Sequence, residues 1–136
     1  MYAGAGLFAI GAAAARSATV CAVEGDRIAA ADLIANAAAY DAVEAVRRPV
    51  EDFVGRSPKR PDVLIVDPPR TGMSREALDG VISLKAPKVV YVSCDVATLA
   101  RDSKRLVESG YRIDEARAFD LFPNTPHVET VISFGR

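Results

Sequence analysis

Cysteine and histidine are scarce in this sequence, and that scarcity closes off several kinds of function. Two cysteines, Cys21 and Cys94, make no framework of spaced pairs, which excludes a disulfide-stapled secreted scaffold. His127 is the single histidine, so no zinc set can be assembled and no metal site is expected. No apolar run approaches the roughly 20 residues that span a bilayer, and no membrane partner is expected. The alanine-rich start lacks a basic leader and carries a glycine turn ahead of its apolar stretch, unlike a secretory signal; a cytoplasmic location is the expectation. Charge of one sign is also missing. Lys and Arg number 17 against 18 Asp and Glu, for a net charge of −1, and the sequence pI is near 5.8. A basic stripe of the kind that marks nucleic-acid binding is absent. Arg47-Arg48, Lys59-Arg60 and the group Arg101, Lys104 and Arg105 read as solvated faces.

What is present is an alternation of strands and helices in a chain of one domain's length, residues 1–136. Residues 7–16 read as a small apolar helix, and 18–23 as a short strand ending on Glu24. Asp26 suits the cap of a helix reaching about Ala38, with Ile28, Leu33 and Ile34 turned inward. Residues 43–46 form a weak strand, 50–54 a helical turn and 62–66 an apolar strand closed by Asp67-Pro68-Pro69. Ser74 caps a helix to about Leu84 that turns Ala77, Leu78, Val81 and Ile82 inward. Residues 88–93 form a further apolar strand and 96–108 the next helix. Residues 111–122 and 128–134 read as two closing strands. Apolar strands separated by helices indicate a mostly parallel sheet with helices on both faces. The last two strands have no helix between them and are expected to pair antiparallel. That combination is the Rossmann-like architecture of the class I methyltransferases. In a doubly wound fold a strand feeds the first glycine turn. Here that turn begins at Tyr2, so the first strand is expected to be missing and the chain to be N-terminally truncated.

Four segments carry chemistry. Tyr2-Ala3-Gly4-Ala5-Gly6-Leu7 is a Gly-x-Gly turn opening a helix, where the backbone can approach a ligand closely. Glu24, at the end of the next strand, is placed to accept the ribose hydroxyls of a nucleoside. Together they favour an adenosine-containing cofactor without separating NAD from S-adenosylmethionine. In Asp67-Pro68-Pro69-Arg70-Thr71-Gly72 two prolines stiffen a strand exit and hold Asp67 at the sheet edge where ligands bind. Cys94 ends the following strand on the same edge, with Asp95 placed to cap the next helix; it reads either as a small buried residue or as a nucleophile. In the final segment, 119–130, Glu129 opens an apolar strand, a costly place for a carboxylate unless it faces a site.

Tyr-x-Gly-x-Gly-Leu-Phe, Asp-Pro-Pro-Arg-x-Gly, Tyr-Val-Ser-Cys-Asp-x-Ala-Thr-Leu-Ala-Arg-Asp and Asp-x-Phe-Pro-x-Thr-x-His-Val-Glu occur in that order. The chain resembles the C-terminal catalytic domain of the RNA uracil-5-methyltransferases, which make 5-methyluridine in transfer and ribosomal RNA. The resemblance implies Cys94 as nucleophile and Glu129 as general base. It implies S-adenosylmethionine as cofactor, with Tyr2, Gly4, Gly6, Leu7, Glu24, Asp52 and Asp67 around it. It also implies an RNA substrate, transfer or ribosomal, with no stable protein partner. The family's RNA-binding β-barrel, its iron–sulfur or other insertion domain and the strand before Tyr2 are expected to be absent. Asp95-Val96 departs from the family's frequent Asn-Pro after the cysteine. A class I methyltransferase acting on an amino group is a second reading, but it gives Cys94 and Glu129 no task. A non-catalytic cofactor- or RNA-binding fragment is a third. A dehydrogenase lacks any acid–base set for hydride transfer.

Overall fold

The computed structural model of the chain describes residues 1–56, 60–121, 123–125 and 128–136. Two compact units form, Met1–Arg56 and Ser57–Arg136.

In the first unit α1 (Leu7–Arg16), β1 (Val20–Glu24), α2 (Arg27–Ala37), β2 (Val43–Arg47) and α3 (Val50–Val54) follow one another. β1 and β2 pair in parallel from Val20–Val43 to Glu24–Arg47. Parallel neighbours need a crossover, and α2 supplies it. Its start is fixed as expected: Asp26 accepts from the N–H groups of Ile28 and Ala29, each at 2.9 Å. The core consists mainly of small residues, Ala9, Ala13, Ala22 and Ala37, with Leu33 and Val43. One expectation fails here. Ile28 is 65% and Ile34 51% exposed, while Ala30, Leu33 and Ala37 face inward. At 100° per residue those three share a narrow stripe; Ile34 lies beyond its border and Ile28 on the opposite side. The packing stripe, not the larger side chains, sets the phase of this helix.

The second unit comprises β3 (Val63–Val66), α4 (Arg75–Ser83), β4 (Lys88–Ser93), α5 (Val96–Glu108), β5 (Arg112–Phe119) and β6 (Glu129–Gly135). The strand order is β3-β4-β6-β5. β3 and β4 run parallel, and β6 is antiparallel to both β4 and β5, which gives the expected closing hairpin. Ser74 caps α4 through the N–H of Ala77 at 3.1 Å. Tyr91, Phe134, Leu106, Val66, Val81 and Val89 are fully buried between sheet and helices. β5 differs from the other strands in being exposed along its whole length. It is one of the sheet's two edge strands, and Arg112, Asp114, Glu115 and Arg117 blunt that edge against further pairing. A register shift between Ile113 and Glu115 interrupts its ladder. The strand ends at Phe119; the expected extension to Phe122 falls outside the described residues. Among the described residues no helix is long and apolar enough to cross a membrane.

Candidate active site

Three strand ends of the second unit bring together the residues on which the chemistry was expected to rest. Asp67 follows Val66, the last residue of β3, and Cys94 follows Ser93, the last residue of β4. Ser93 pairs with Thr130 of β6. One step outward from that antiparallel pair lie Cys94 on β4's exit and Glu129, the first residue of β6. Val66 pairs with Tyr91, so the register carries Asp67 opposite Val92, two residues short of Cys94. Asp67, Cys94 and Glu129 thus lie at the same end of three neighbouring strands about 4.8 Å apart. Electrostatics reports the same closeness. Burial pushes the Asp67 carboxyl up, and the negative charge of Glu129 pushes it further, to about 6.

Cys94 is a free, half-buried thiol held in a closed turn. Ser93 Oγ donates to the Asp95 carbonyl at 3.0 Å and accepts from the Asp95 N–H at 3.1 Å. Asp95 Oδ1 caps α5, accepting from Ala97 N–H at 3.0 Å and Thr98 N–H at 2.9 Å. The thiol therefore sits between a strand end and a helix start that are both fixed by hydrogen bonds. Cys21 is placed elsewhere. It lies within β1 opposite Glu44, and desolvation followed by the charge of Glu44 pushes its thiol up, away from the thiolate. Among the described residues no group of His, Cys, Asp and Glu is arranged to hold a metal ion.

Periodicity did not reveal what holds the Asp-Pro-Pro-Arg loop. Its backbone is fastened to one face of α5. Thr98 Oγ1 lies 3.1 Å from the Arg70 carbonyl, and also 3.2 and 3.1 Å from Asp95 O and Oδ1. Arg101 Nη2 donates to the carbonyls of Thr71 and Met73, each at 3.1 Å. Asp102, fully buried, accepts from the Met73 N–H at 2.9 Å and the Tyr91 hydroxyl at 2.6 Å. Arg101 also pairs with Asp102 Oδ1 at 2.8 Å. Burial and the bond to Asp102 push the Tyr91 phenol up, so it remains a donor. Arg101 is exposed, as expected of a solvated face, and also holds a loop. Gly72 turns at φ +73, and a Cβ there would come within 2.5 Å of Arg101 Nη2 and 2.8 Å of Asp102 Oδ2. The only sequence signal for this fastening was a row of polar residues at positions 98, 101 and 102, the i, i+3, i+4 spacing of one helix face.

In the first unit the glycine turn is pinned at several points. The Ala3 N–H donates to the Val23 carbonyl at 3.0 Å, and Asn36 Nδ2 to the Ala5 carbonyl at 2.9 Å. Tyr2 and Gly4 adopt positive φ, and Gly6 does so at +102 with α2 close behind it: a Cβ would meet Leu33 Cδ1 at 2.9 Å. Gly6 is the N-cap of α1 and supplies no side-chain cap, so the first N–H groups of that helix have none. Leu7 is 80% exposed. Glu24 has a task that the sequence did not disclose. Its two oxygens accept from the Gly4 N–H at 2.7 Å and the Asp26 N–H at 2.8 Å, fastening the turn to the strand end. Each carboxylate oxygen keeps a further lone pair. Asp52 is exposed in the first turn of α3. That helix starts beside the end of β1, where the Arg48 N–H donates to the Glu24 carbonyl at 2.9 Å. His127 lies outside the described residues.

A family model described as tRNA (Uracil-5-)-methyltransferase matches residues 59–136. A protein of Thermotoga maritima named an uncharacterized RNA methyltransferase is 41% identical over 135 residues, covering 98% of this chain and 30% of that protein. One from Clostridium tetani, named likewise, is 51% identical over 78 residues, which are 57% of this chain and 17% of its own length. The chain thus spans less than a third of these relatives. Among solved structures, the tRNA (uracil-54, C5)-methyltransferase of Pyrococcus abyssi, in complex with S-adenosyl-L-homocysteine, superposes with a TM-score of 0.86 at 37% identity. The match covers 98% of this chain and 33% of that one. The precorrin-6y C5,15-methyltransferase of Geobacter metallireducens reaches 0.74 at 17% identity over all of this chain and 77% of that one. At that identity the likeness is one of fold. The alternating architecture is accordingly that of the class I methyltransferases.

Proposed function

The chain belongs to the tRNA (uracil-5-)-methyltransferase family, and from that premise we propose that it methylates carbon 5 of a uridine in RNA, transfer or ribosomal, through a covalent Cys94 adduct. The observation that carries this reading is the row of Asp67, Cys94 and Glu129 on three consecutive strand ends. Carbon 5 of uracil is too weak a nucleophile to take a methyl group unaided. The Cys94 thiolate adds to carbon 6, its electron pair passing through the ring to make an enolate whose carbon 5 is nucleophilic. Arg70, exposed on the loop beyond Asp67, is the donor assigned to the developing charge on the carbonyl oxygen.

S-adenosylmethionine, when bound, supplies an electrophilic methyl group. The glycine turn fits such a cofactor: the start of α1 has N–H groups without a side-chain cap, and Glu24 retains lone pairs beyond its two backbone bonds. The residues assigned to it are Tyr2, Gly4, Gly6, Leu7, Glu24, Asp52 and Asp67. After methylation carbon 5 carries both a methyl group and a hydrogen. Glu129 removes that proton, the electron pair reforms the double bond between carbons 5 and 6, and Cys94 leaves carbon 6 as thiolate. The target base must leave its stack or lie in a loop to reach the thiol. A cytoplasmic location follows from this substrate as part of the same proposal.

RNA carrying tritium at uridine carbon 5 tests the assignment. The parent chain is expected to release tritium with S-adenosylmethionine, and Cys94→Ala to release none. Glu129→Gln is expected to methylate the RNA while retaining tritium. Release at the parent rate from Glu129→Gln contradicts its role as base.

A further inference from the structure

We infer that Thr98, Arg101 and Asp102 of α5, with Tyr91 beneath them, are positioning residues that act through Arg70; the inference rests on the reaction proposed above. Four backbone groups of residues 70–73 are held by these side chains: the Arg70 carbonyl by Thr98, the Thr71 and Met73 carbonyls by Arg101, and the Met73 N–H by Asp102. A surface loop that only connects β3 to α4 needs no such fastening, because water satisfies exposed backbone groups. The anchor is expensive to build. Asp102 is fully buried, and its charge is accommodated by Arg101, the Tyr91 hydroxyl and a backbone N–H.

What the fastening leaves loose is as informative as what it holds. The Arg70 side chain is exposed, and among the described residues its guanidinium has neither ion pair nor hydrogen bond. A fixed backbone with an unengaged guanidinium is the arrangement of a donor set in place before its acceptor arrives. The acceptor has a position as well. Thr98 contacts both the Arg70 carbonyl and Asp95, and Asp95 is adjacent to Cys94. Thr98 therefore ties the donor's backbone, through its hydroxyl, to the nucleophile's turn, through its own N–H to Asp95 Oδ1. The ligand chemistry is the uracil carbonyl oxygen that gains charge as Cys94 adds.

A double-mutant cycle on kcat tests this, using Thr98→Val, which removes the hydroxyl at nearly constant volume, and Arg70→Ala. Asp102 is left intact because its replacement disturbs a buried charge. Each single variant is expected to lower kcat about tenfold or more, and the double variant no further than the worse single. Thr98→Ser, which keeps the hydroxyl, should restore most of the kcat lost in Thr98→Val. Arg101→Met should behave as Thr98→Val does. Multiplicative losses in the cycle, or a parent-like kcat in Thr98→Val, overturn the positioning role while leaving the proposed reaction intact. A parent chain that shows no turnover overturns the reaction and this role with it, and is seen before any variant is compared.

Discussion

Asp67 is the residue whose environment makes the sharpest statement about pH. Its carboxyl is raised from 3.8 to about 6, first by burial and then by the charge of Glu129. The folded state therefore holds this proton more tightly than the unfolded chain does. The group opposes folding above pH 6, and the opposition fades as pH falls from about 6 toward 4. Asp67→Asn is expected to raise the thermal midpoint at pH 8 and to leave it nearly unchanged at pH 4; equal midpoints at both values contradict the raised pKa. Ligand affinity should move in the opposite sense. Under the proposed assignment of Asp67 to the cofactor, its ionised carboxylate attracts the sulfonium charge of S-adenosylmethionine, so calorimetric affinity should weaken as pH drops through 6, and Asp67→Asn should flatten that dependence. S-adenosyl-L-homocysteine lacks the positive charge and should show little of it. Asp102 makes a different kind of statement, since it is buried with every partner in place. Asp102→Ala leaves the Met73 N–H and the Tyr91 hydroxyl without their acceptor while water solvates the half-exposed Arg101, and denaturant unfolding should report a loss of about 1–3 kcal/mol.

At the scale of elements, the helix and strand bounds around Cys94 were legible because local chemistry fixes them. β4 at 88–93 and α5 at 96–108 coincide with the expectation, since Asp95 is both the end of the apolar run and a strong cap. Asp95→Ala should cost about 1 kcal/mol of stability by the same chemistry, measured as a shift in denaturant midpoint. α2 was legible in its start but not in its phase. The spacing of Ala30, Leu33 and Ala37 decided its buried face, a signal that side-chain size obscured by drawing attention to Ile28 and Ile34. The loop at 67–73 was legible as stiff, from its prolines, but not as fastened. Its partners lie 28 to 30 residues away, and bonds between elements leave no periodic trace. Glu24 escaped for the same reason, its bond to the Gly4 N–H spanning 20 residues. Gly72→Ala should show how tight the fastening is. A positive φ and a Cβ aimed at Arg101 and Asp102 predict a destabilisation of more than about 1 kcal/mol by the same unfolding assay.

At the scale of the whole molecule, the chain divides its expected work between two units. The first carries the glycine turn, Glu24 and Asp52; the second carries Asp67, Cys94 and Glu129. The fold class was readable from the alternation of elements, because apolar strands separated by helices admit few sheet arrangements. The family was readable from the order of four motifs, two of which surround strand ends that the structure sets side by side. RNA binding was not readable from charge: the net value is −1, and the curated relatives are more than three times as long as the chain they share. The central claim, a covalent Cys94–uracil intermediate, is tested most directly by mass spectrometry of the chain after incubation with S-adenosylmethionine and RNA containing 5-fluorouridine. Fluorine at carbon 5 cannot leave as a proton, so the adduct should persist. The account predicts a nuclease-trimmed methylated fluorouridine on the peptide containing Cys94, and none for Cys94→Ala. An adduct on Cys21, or methylated RNA released without any adduct from the parent chain, would contradict it.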